Sequence, residues 1–357
     1  MGQHAIVSSL PVARTPDPSL APPLRWGVLA PGRIAAGFTE ALHRHTRQRV
    51  VAVGSRSAER AAAFAHRFGI ARSHGSYQAL VQDSQVDAVY VASPHSEHHA
   101  QALLAIAAGK PVLVEKAFTR NAREAREVVD AAATAGVLVM EAMWTRFLPQ
   151  TDVLGQLLAD GALGEVTTVL ADHGQYFTPD PTDRLFDPHL AGGALLDLGV
   201  YPLSLASFVL GVPGTHPPVD DAPGVVAVGT RTETGVDAQV SLVLSAGRAQ
   251  ACLSTTLLAV TPTTAAVCGT AGRVEFTGPF YAPATMTLWP TGSDDPLVRP
   301  ADDLPGSGGM AYEAAHFATL VDGGATVSPL LPPSESVAVL ELIDEVRRRL
   351  GVVYPGE

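Results

Sequence analysis

Short apolar runs alternate with amphipathic, Ala-rich stretches over roughly the first 145 residues. The runs have the length of buried strands and are bounded by Gly and Pro. They lie at 26–30, 50–53, 87–91, 112–114 and 137–140. The stretches between them have helical spacing, at 31–43, 57–68, 96–108 and 121–135. Asn121 and Glu124 make a capping-box pattern at the start of the last of these helices. Repeated strand–helix units predict an α/β domain with a doubly wound parallel sheet.

The pattern changes beyond about residue 146 to successive strands separated by Gly-containing turns. The strands are expected at 166–176, 224–232, 236–244, 249–257, 263–267 and 272–276. This order predicts a second, α+β domain on a large, mostly antiparallel, open-faced sheet. Two late helices, at 312–321 and 334–350, are expected to pack back on the first domain.

These patterns divide the chain into three parts. Residues 24–146 are the predicted dinucleotide-binding domain, and residues 147–357 the predicted substrate-binding and oligomerisation domain. Residues 1–23 are polar, Pro-containing and aperiodic, so we expect a disordered extension there.

The first strand runs into Ala30-x-Gly32-x-x-Ala35, which opens a helix. Strand, Gly turn, helix and strand in this order are typical of the dinucleotide-binding Rossmann unit. The cofactor pyrophosphate would lie at the helix N-terminus, beside Gly32, Arg33 and Ile34. Ala30 replaces the usual first Gly, which we expect to be tolerated if the turn has a negative φ there.

The end of the second strand, Gly54-Ser55-Arg56-Ser57, indicates the cofactor. NAD-binding sites usually place Asp or Glu there to hold the ribose 2′-hydroxyl. Here Ser55 and Arg56 are available for a 2′-phosphate, so the sequence predicts NADP, with NAD less favoured. The alternative is that Arg56 begins the next helix and is solvated.

A third segment, residues 92–99, follows the strand at 87–91. At the carboxyl end of a parallel strand, Ser93, Pro94, His95 and His98 should line the cofactor crevice. His95 and His98 also suit a metal, but no third ligand is apparent. Polar side chains around a helix start are the favoured interpretation, and we predict no metal site.

Glu115 and Lys116 end the apolar run at 112–114, where ligands gather in an open α/β sheet. Of the 24 basic residues, only Lys110 and Lys116 are lysines, and 22 are Arg. Lys can give up its proton in a protein, whereas Arg cannot. Lys116 is therefore a catalytic candidate, and Glu115 and Lys116 are also expected to contact the cofactor. The alternatives are a Lys that caps the strand end by chance and an ion pair with Glu115.

The other chemical segment is Gly192 to Pro202, with Asp197 and Tyr201 four residues apart. On a helix they would share one face, although Pro202 disfavours a helical conformation at Tyr201. A Tyr hydroxyl close to a Lys ammonium can accept or return the proton of an alcohol. The alternative is a structural helix with a buried Tyr and a capping Asp.

Composition excludes several classes of protein. The chain has 357 residues and a formal net charge of −11, which argues against a nucleic-acid surface. No apolar run approaches the roughly 20 residues of a spanning helix. Residues 1–23 lack the apolar core of a signal peptide, and the two cysteines, Cys252 and Cys268, lack CxxC spacing. We expect a cytoplasmic protein with a small-molecule substrate and no nucleic-acid or membrane partner.

Taken together, these motifs resemble the glucose–fructose oxidoreductase / inositol dehydrogenase / MocA family, from about residue 24 to 357. The Glu141-Ala-Met-Trp144-Thr-Arg146 stretch and Tyr201 are similar to the dimeric dihydrodiol dehydrogenases and NADP-dependent D-xylose dehydrogenases. The resemblance implies proton transfer by Lys116 and Tyr201 with help from Asp197. It also implies that Trp144, Arg146 and Phe186 line the substrate pocket, with Tyr176 as a further candidate. Ala117 departs from the Pro that usually follows Glu-Lys, which bears on loop shape and substrate choice.

The expected function is an NADP-dependent oxidoreductase that moves a hydride to or from a hydroxyl-bearing carbon of a sugar, polyol or cyclic diol. The alternatives are a keto-sugar reductase of a biosynthetic pathway and a non-catalytic NADP-binding sensor. The open-faced sheet predicts a homodimer or a dimer of dimers.

Overall fold

The computed structural model describes residues 8–211, 224–301 and 304–357. The strands are β1 Arg25–Leu29, β2 Arg49–Gly54, β3 Arg72–His74, β4 Ala88–Val91, β5 Val112–Glu115, β6 Val139–Ala142, β7 Val166–Gly174, β8 Val225–Arg231, β9 Asp237–Ala246, β10 Ala249–Thr256, β11 Ala265–Gly269, β12 Gly272–Phe276, β13 Met286–Pro290 and β14 Leu297–Arg299. The α-helices are α1 Arg33–His45, α2 Ala58–Phe68, α3 Tyr77–Val81, α4 His95–Ala107, α5 Ala122–Ala135, α6 Pro149–Ala159, α7 Val200–Leu210, α8 Met310–Asp322 and α9 Pro333–Leu350.

The chain forms two compact units. The parallel-sheet unit contains Pro16–Phe147 and Gly306–Leu340. The antiparallel-sheet unit contains Met1–Thr15, Leu148–Pro305 and Glu341–Glu357. The strand-rich middle of the chain thus falls in one unit together with the C-terminal residues, and the boundary between the two units lies within α9.

The parallel-sheet unit is built on six parallel strands in the order β3-β2-β1-β4-β5-β6. This confirms the predicted doubly wound sheet, and the order reverses between β1 and β4. Strands β4, β5 and β6 are buried along their whole length, as expected with helices on both faces. On one side, Trp26 packs edge-on against Phe38 and also contacts Phe317 of α8.

The N-terminal segment differs from the expectation of disorder over residues 1–23. Residues 1–7 lie outside the described residues. In the described part, Pro18–Leu20 form a 3₁₀ turn capped by the side chain of Asp17. Arg14 pairs with Asp152 of α6 at 2.9 Å. Arg14 and the turn at Pro18–Leu20 are therefore ordered, because Pro and Asp stabilise the turn locally and Arg14 pairs with an acid distant in sequence.

The antiparallel-sheet unit carries eight strands in the order β14-β13-β12-β11-β7-β10-β9-β8. Among the strand pairs that the structure describes in this sheet, β7 and β10 are parallel and the others are antiparallel, which confirms the mostly antiparallel prediction. Along β10, buried residues alternate with more exposed ones, as in a sheet with one covered and one open face. The strands β3, β13 and β14 and the helices α3 and α6 were not predicted, and four of these five elements are only three to five residues long.

The segment Pro188–Leu210 is long and apolar enough to meet the composition test for a membrane span, contrary to the expectation that no run comes close. In the structure 83% of its most apolar window is buried inside the protein. The segment is therefore mostly buried in the interior of its unit.

Candidate active site

The β1–α1 turn has the shape of an anion cradle. Gly32 precedes α1, and the first turn of the helix has neither a side-chain cap nor an acidic residue. A Cβ on Gly32 would meet nothing closer than 3.9 Å, so the backbone there is open to close approach. Arg33 and Ile34 are exposed in the same turn. Free N–H groups and the helix dipole at this position suit a pyrophosphate.

Ala30 corrects the expectation of a negative φ in this turn. Its φ is +64°, in the left-handed region that Gly adopts most easily. The Ala30 N–H donates to the carbonyl of Gly54 at 3.0 Å, which anchors the turn to β2. The strained conformation is therefore supported by the sheet, at a cost of about 1–2 kcal/mol for a residue with a Cβ.

The segment after β2 is basic rather than acidic. Arg56 is exposed and precedes α2, whose N-cap is Ser57, so Arg56 lies outside the helix. Burial raises the pKa of the Tyr77 phenol, and the positive charge of Arg56 opposes that shift. Ser55 is buried, and its Oγ accepts the N–H of Ser57 at 3.2 Å. The cation fits a 2′-phosphate, and no acid stands in its place.

His98 joins the two loops that follow β4 and β5. It is fully buried, with Nε2 2.8 Å from the Ser93 carbonyl and Nδ1 2.9 Å from the Ala117 carbonyl. Burial lowers the pKa of His98 to about 4, and the two carbonyls oppose that shift. The neutral ring has one N–H, so His98 donates to one of these carbonyls and contacts the other. His98 thus joins the two loops, which favours the non-metal interpretation of this segment.

The β4–α4 loop contains the other predicted cofactor residues. Pro94 is the N-cap of α4, and His95 is almost completely buried at the first helical position. The Ser93 hydroxyl is buried without a hydrogen-bond partner among the described residues, so it has capacity for a bound group. No group of three or more metal-ligating side chains occurs in the described parts of the chain.

Lys116 is half-buried at the carboxyl end of β5. Its N–H donates to Oε2 of Glu115 at 3.3 Å, and the peptide bond from Lys116 to Ala117 is cis. Glu115 also accepts a hydrogen bond from the hydroxyl of Tyr90 on β4. Burial raises the pKa of Glu115 to about 7, against the opposing effects of Tyr90 and the Lys116 ammonium.

Two further buried carboxyls lie close enough to Glu115 to repel its charge. Glu141 on β6 accepts the N–H of Phe118 at 3.0 Å and the hydroxyl of Ser336. Burial raises its pKa to about 6. Burial raises the pKa of Glu313 on α8 well above the usual range, and Glu115 and Glu141 add to that shift. Three acids thus share the interior behind the Lys116 loop, and sequence spacing did not reveal Glu313.

Two residues predicted to line the substrate pocket are held inside the parallel-sheet unit. The Arg146 guanidinium pairs with the carboxylate of Glu335, and its Nη2 donates to the Leu330 carbonyl at 3.0 Å. The Arg146 side chain is only 6% exposed. Trp144 is also buried. The Arg146 side chain is thus used for hydrogen bonds inside this unit, and we do not assign it a substrate contact.

Asp197 and Tyr201 lie in the antiparallel-sheet unit on a helix that differs from the regular one expected. Leu195–Gly199 form a π-helical segment that continues into α7. Hydrogen bonds in a π-helix join residues five apart instead of four. Residues four apart, such as Asp197 and Tyr201, therefore need not lie on the same face of this segment. Oδ1 of Asp197 accepts from both terminal nitrogens of Arg184 at 3.1 Å, so Arg184 is its partner within this unit.

Pro202 does not end the helix at Tyr201, contrary to the sequence argument. Proline has no N–H for the carbonyl four residues earlier, which belongs to Leu198. In the structure Nδ1 of His173 lies 3.2 Å from that carbonyl. The missing helix bond is thus replaced by a buried imidazole from β7, which lies beside Tyr201.

Tyr201 lies in an aromatic cluster that the sequence did not indicate. Its ring stacks on Tyr281, with centroids 4.4 Å apart, and the ring of His173 contacts both. Nε2 of His173 lies 3.1 Å from the Gln175 amide nitrogen. Burial raises the pKa of Tyr281, and Asp197 adds to that shift. Tyr281 and His173 are therefore additional site candidates from strands and loops distant in sequence.

The other two predicted substrate residues differ in exposure. Phe186 is 2% exposed and packs in an apolar cluster with Leu185, Ala194, Leu198 and Leu257. It is a core residue and does not offer a surface to a ligand. Tyr176 is 58% exposed and remains available.

Comparison with known proteins supports both units. Residues 24–143 match the family model described as "Oxidoreductase family, NAD-binding Rossmann fold". Residues 152–275 match "GFO/IDH/MocA C-terminal domain". The chain is 36% identical to the human trans-1,2-dihydrobenzene-1,2-diol dehydrogenase over 339 residues, which cover 94% of this chain and 99% of the relative. The same enzyme of Macaca fascicularis gives the same identity and coverage.

Solved structures are similar over nearly the same length. The 3-ketoreductase KijD10 from Actinomadura kijaniata, in complex with NADP and TDP-benzene, gives a TM-score of 0.79 and 28% identity, over 92% of this chain and 98% of that one. The aldose-aldose oxidoreductase from Caulobacter crescentus, complexed with glycerol, gives a TM-score of 0.78 and 25% identity, over 92% and 98% of the two chains.

Proposed function

Because the chain belongs to the GFO/IDH/MocA family of NAD(P)-binding oxidoreductases, we propose that it is an NADP-dependent dehydrogenase or reductase of CH–OH groups. The substrate class is a sugar, polyol or cyclic diol, in keeping with relatives named as a dihydrodiol dehydrogenase and an aldose-aldose oxidoreductase. When bound, the nicotinamide cofactor supplies or accepts the hydride. The chain's own residues bind it, orient the substrate and move the proton.

The observation that carries the proposal is the His98 link between the Ser93 and Ala117 carbonyls. It holds the loop after β4 in a fixed relation to the loop that contains Lys116. Both loops lie at carboxyl ends of adjacent parallel strands, where cofactors bind in such sheets. We propose that the Ser93 hydroxyl and the N-terminus of α1 contact NADP, and that Arg56 holds its 2′-phosphate.

For the proton, we propose Lys116 and Tyr201 as the exchanging groups. Lys116 is half-buried, which limits competing hydration of its ammonium. The Tyr201 ring is held by Tyr281 and His173, so its hydroxyl has a restricted position. Asp197, fixed by Arg184, contributes negative charge on the same helical segment as Tyr201. A group held in this way transfers a proton without first having to be ordered.

The test replaces Lys116 by Met and uses the only other lysine as a matched control. We expect Lys116→Met to lower kcat at least 100-fold, the usual contribution of a positioned acid/base group, with NADPH affinity nearly unchanged. Lys110 donates to the Val86 carbonyl at 2.5 Å, away from these loops, so Lys110→Met should keep kcat. Unchanged turnover in Lys116→Met would refute the role of Lys116 in proton transfer, whereas tight NADPH binding without turnover in the wild-type chain would favour a non-catalytic NADP-binding sensor.

A keto-sugar reductase is the second candidate function. The similarity to a 3-ketoreductase favours it. In this candidate function, the same residues would assist the reduction of a keto group to a hydroxyl group. NADPH oxidation in the presence of keto-sugars, without NADP⁺ reduction by the parent sugars, would identify this direction.

We further propose a cytoplasmic homodimer or a dimer of dimers formed through the open face of the eight-stranded sheet. Leu170, Cys252, Val243 and Val226 align across β7, β10, β9 and β8 on that face. Leu170 and Val226 are 45% and 64% exposed. A continuous apolar row of this kind marks an association surface.

Sedimentation velocity tests the association. We expect the wild-type chain to sediment as a dimer or larger and Val226→Lys to shift it toward monomer. Val260, which is 79% exposed and lies outside the strands, provides the control variant Val260→Lys. A wild-type chain that sediments as a monomer at every concentration would contradict this surface.

A further inference from the structure

The turn Gly192–Ala194 comes immediately before the helical segment that contains Asp197 and Tyr201. Gly193 has φ +116°, a conformation that side chains rarely adopt. Its N–H donates to the Leu185 carbonyl at 2.8 Å. The direction in which the helix leaves this turn therefore determines where Asp197 and Tyr201 lie.

Asp237, the first residue of β9, holds the helix side of the turn. Its side chain is completely buried, and Oδ2 accepts the N–H of Leu195 at 2.6 Å. A Cβ on Gly193 would lie 2.3 Å from its Oδ1, so the carboxylate occupies the space that Gly193 leaves open. Asp237 thus satisfies a free N–H at the start of this helix from a different element, as an N-cap residue does locally.

Tyr354 holds the other side of the turn. Its hydroxyl donates to the Gly192 carbonyl at 2.7 Å, and its ring is 1% exposed. The Arg347 guanidinium lies 3.9 Å from the centre of that ring. Arg347 also pairs with Glu357, which accepts the N–H of Tyr354 at 3.0 Å. Residues 347–357 therefore fold back on themselves and present one hydroxyl to the turn.

We propose that Asp237 and Tyr354 are positioning residues that hold the Gly192–Gly193 turn and so orient the helix containing Asp197 and Tyr201. The proposal rests on the function proposed above, because it gives these two residues their role through Tyr201. Apolar side chains could fill the same space around the turn. The two hydrogen bonds on either side of Gly193 are directional, so they also fix the orientation of the turn.

The first measurement is amide hydrogen exchange of the full-length chain, which needs no substrate. We expect Tyr354→Phe to raise exchange of the 193–199 amides at least threefold, with the strands of the parallel sheet unchanged. Arg347→Gln should do the same, since it removes the contact that supports Tyr354. Arg348→Gln on the same helix breaks only an exposed pair with Glu345 and serves as the control.

The second measurement is steady-state kinetics. Asp237→Ala should lower kcat by about tenfold or more, as misplacement of a reacting group does, with NADPH affinity within about twofold of the wild type. Asn can still accept the Leu195 N–H, so Asp237→Asn should recover most of kcat. A residue that only stabilises the fold would alter the unfolding midpoint without this split between kcat and cofactor binding.

The two measurements separate the possible failures. Unchanged exchange in Tyr354→Phe and Arg347→Gln would overturn the proposal, whatever the activity. Raised exchange with wild-type kcat in Tyr354→Phe and Asp237→Ala would also overturn it, because the turn would then not control Tyr201. A wild-type chain without turnover would refute the proposed function, and exchange alone would then decide whether these residues hold the turn.

Discussion

Glu141→Gln removes one of the three buried acids behind the Lys116 loop and keeps the shape of the side chain. The Gln oxygen can still accept the Phe118 N–H, and the Ser336 hydroxyl can accept from the new amide. The substitution therefore removes a titratable proton with little change in packing. The pH dependence of the stability difference therefore tests how strongly burial raises the pKa of Glu141.

The expected magnitude follows from the pKa of Glu141, which burial raises from 4.5 to about 6. A carboxyl with a raised folded-state pKa contributes stability that is fully present below pH 4.5 and is lost as the pH rises through about 6. A difference of about 1.5 in pKa corresponds to about 2 kcal/mol. Relative to the wild type, Glu141→Gln should therefore become more stable by about 2 kcal/mol between pH 4 and pH 8.

The assay is urea unfolding across this pH range, followed by tryptophan fluorescence, to which the buried Trp26 and Trp144 contribute. His98 and His316 have pKa values lowered by burial to about 4, so they change stability in the opposite direction. The difference between variant and wild type cancels their contribution. Glu40→Gln, in an exposed pair with Arg67, is the control and should change stability by less than about 1 kcal/mol. A difference for Glu141→Gln that does not depend on pH would refute the buried ionisable interior.

Three further predictions test separate parts of the account. Arg56→Ala should raise the KM for NADP⁺ about 10- to 100-fold, which is the contribution of a charge-assisted phosphate contact. The KM for NAD⁺ should change little, and an equal rise in both KM values would argue against the 2′-phosphate contact. His98→Phe should lower the free energy of unfolding by about 1–3 kcal/mol, because a buried carbonyl loses its partner; urea unfolding at neutral pH measures this, and wild-type stability would refute the loop link. Tyr201→Phe should lower kcat about 100-fold at unchanged NADPH affinity, whereas Tyr176→Phe should alter only the KM of the substrate; a normal kcat in Tyr201→Phe would remove it from proton transfer.

Local patterns predicted the parts of the fold that depend on neighbours in sequence. Asn121 is the N-cap of α5, with its Oδ1 accepting the Glu124 N–H at 3.0 Å, as the capping pattern indicated. The carboxyl end of β5 places Glu115 and Lys116 as expected from the apolar run before them. Periodicity also distinguished the parallel sheet from the antiparallel one.

Partners distant in sequence were not predictable. Arg146 pairs with Glu335, 189 residues later in the chain. The residues around Arg146 in the sequence do not indicate that its partner is this distant Glu. Tyr281 stacks on Tyr201 through a fold contact, with no motif of its own. The positive φ of Ala30 depends on support from β2, which overrides the preference of a residue with a Cβ.

The most direct test of the central claim is nicotinamide absorbance with the purified chain. NADP⁺ and NAD⁺ are offered separately against D-xylose, D-glucose, myo-inositol and a trans-dihydrodiol, and NADPH against the corresponding keto compounds. The account predicts turnover with at least one of these substrates, faster with NADP⁺ than with NAD⁺, and lost in Lys116→Met. Equal turnover in Lys116→Met, or tight NADPH binding with no hydride transfer to or from any of these compounds, would contradict it.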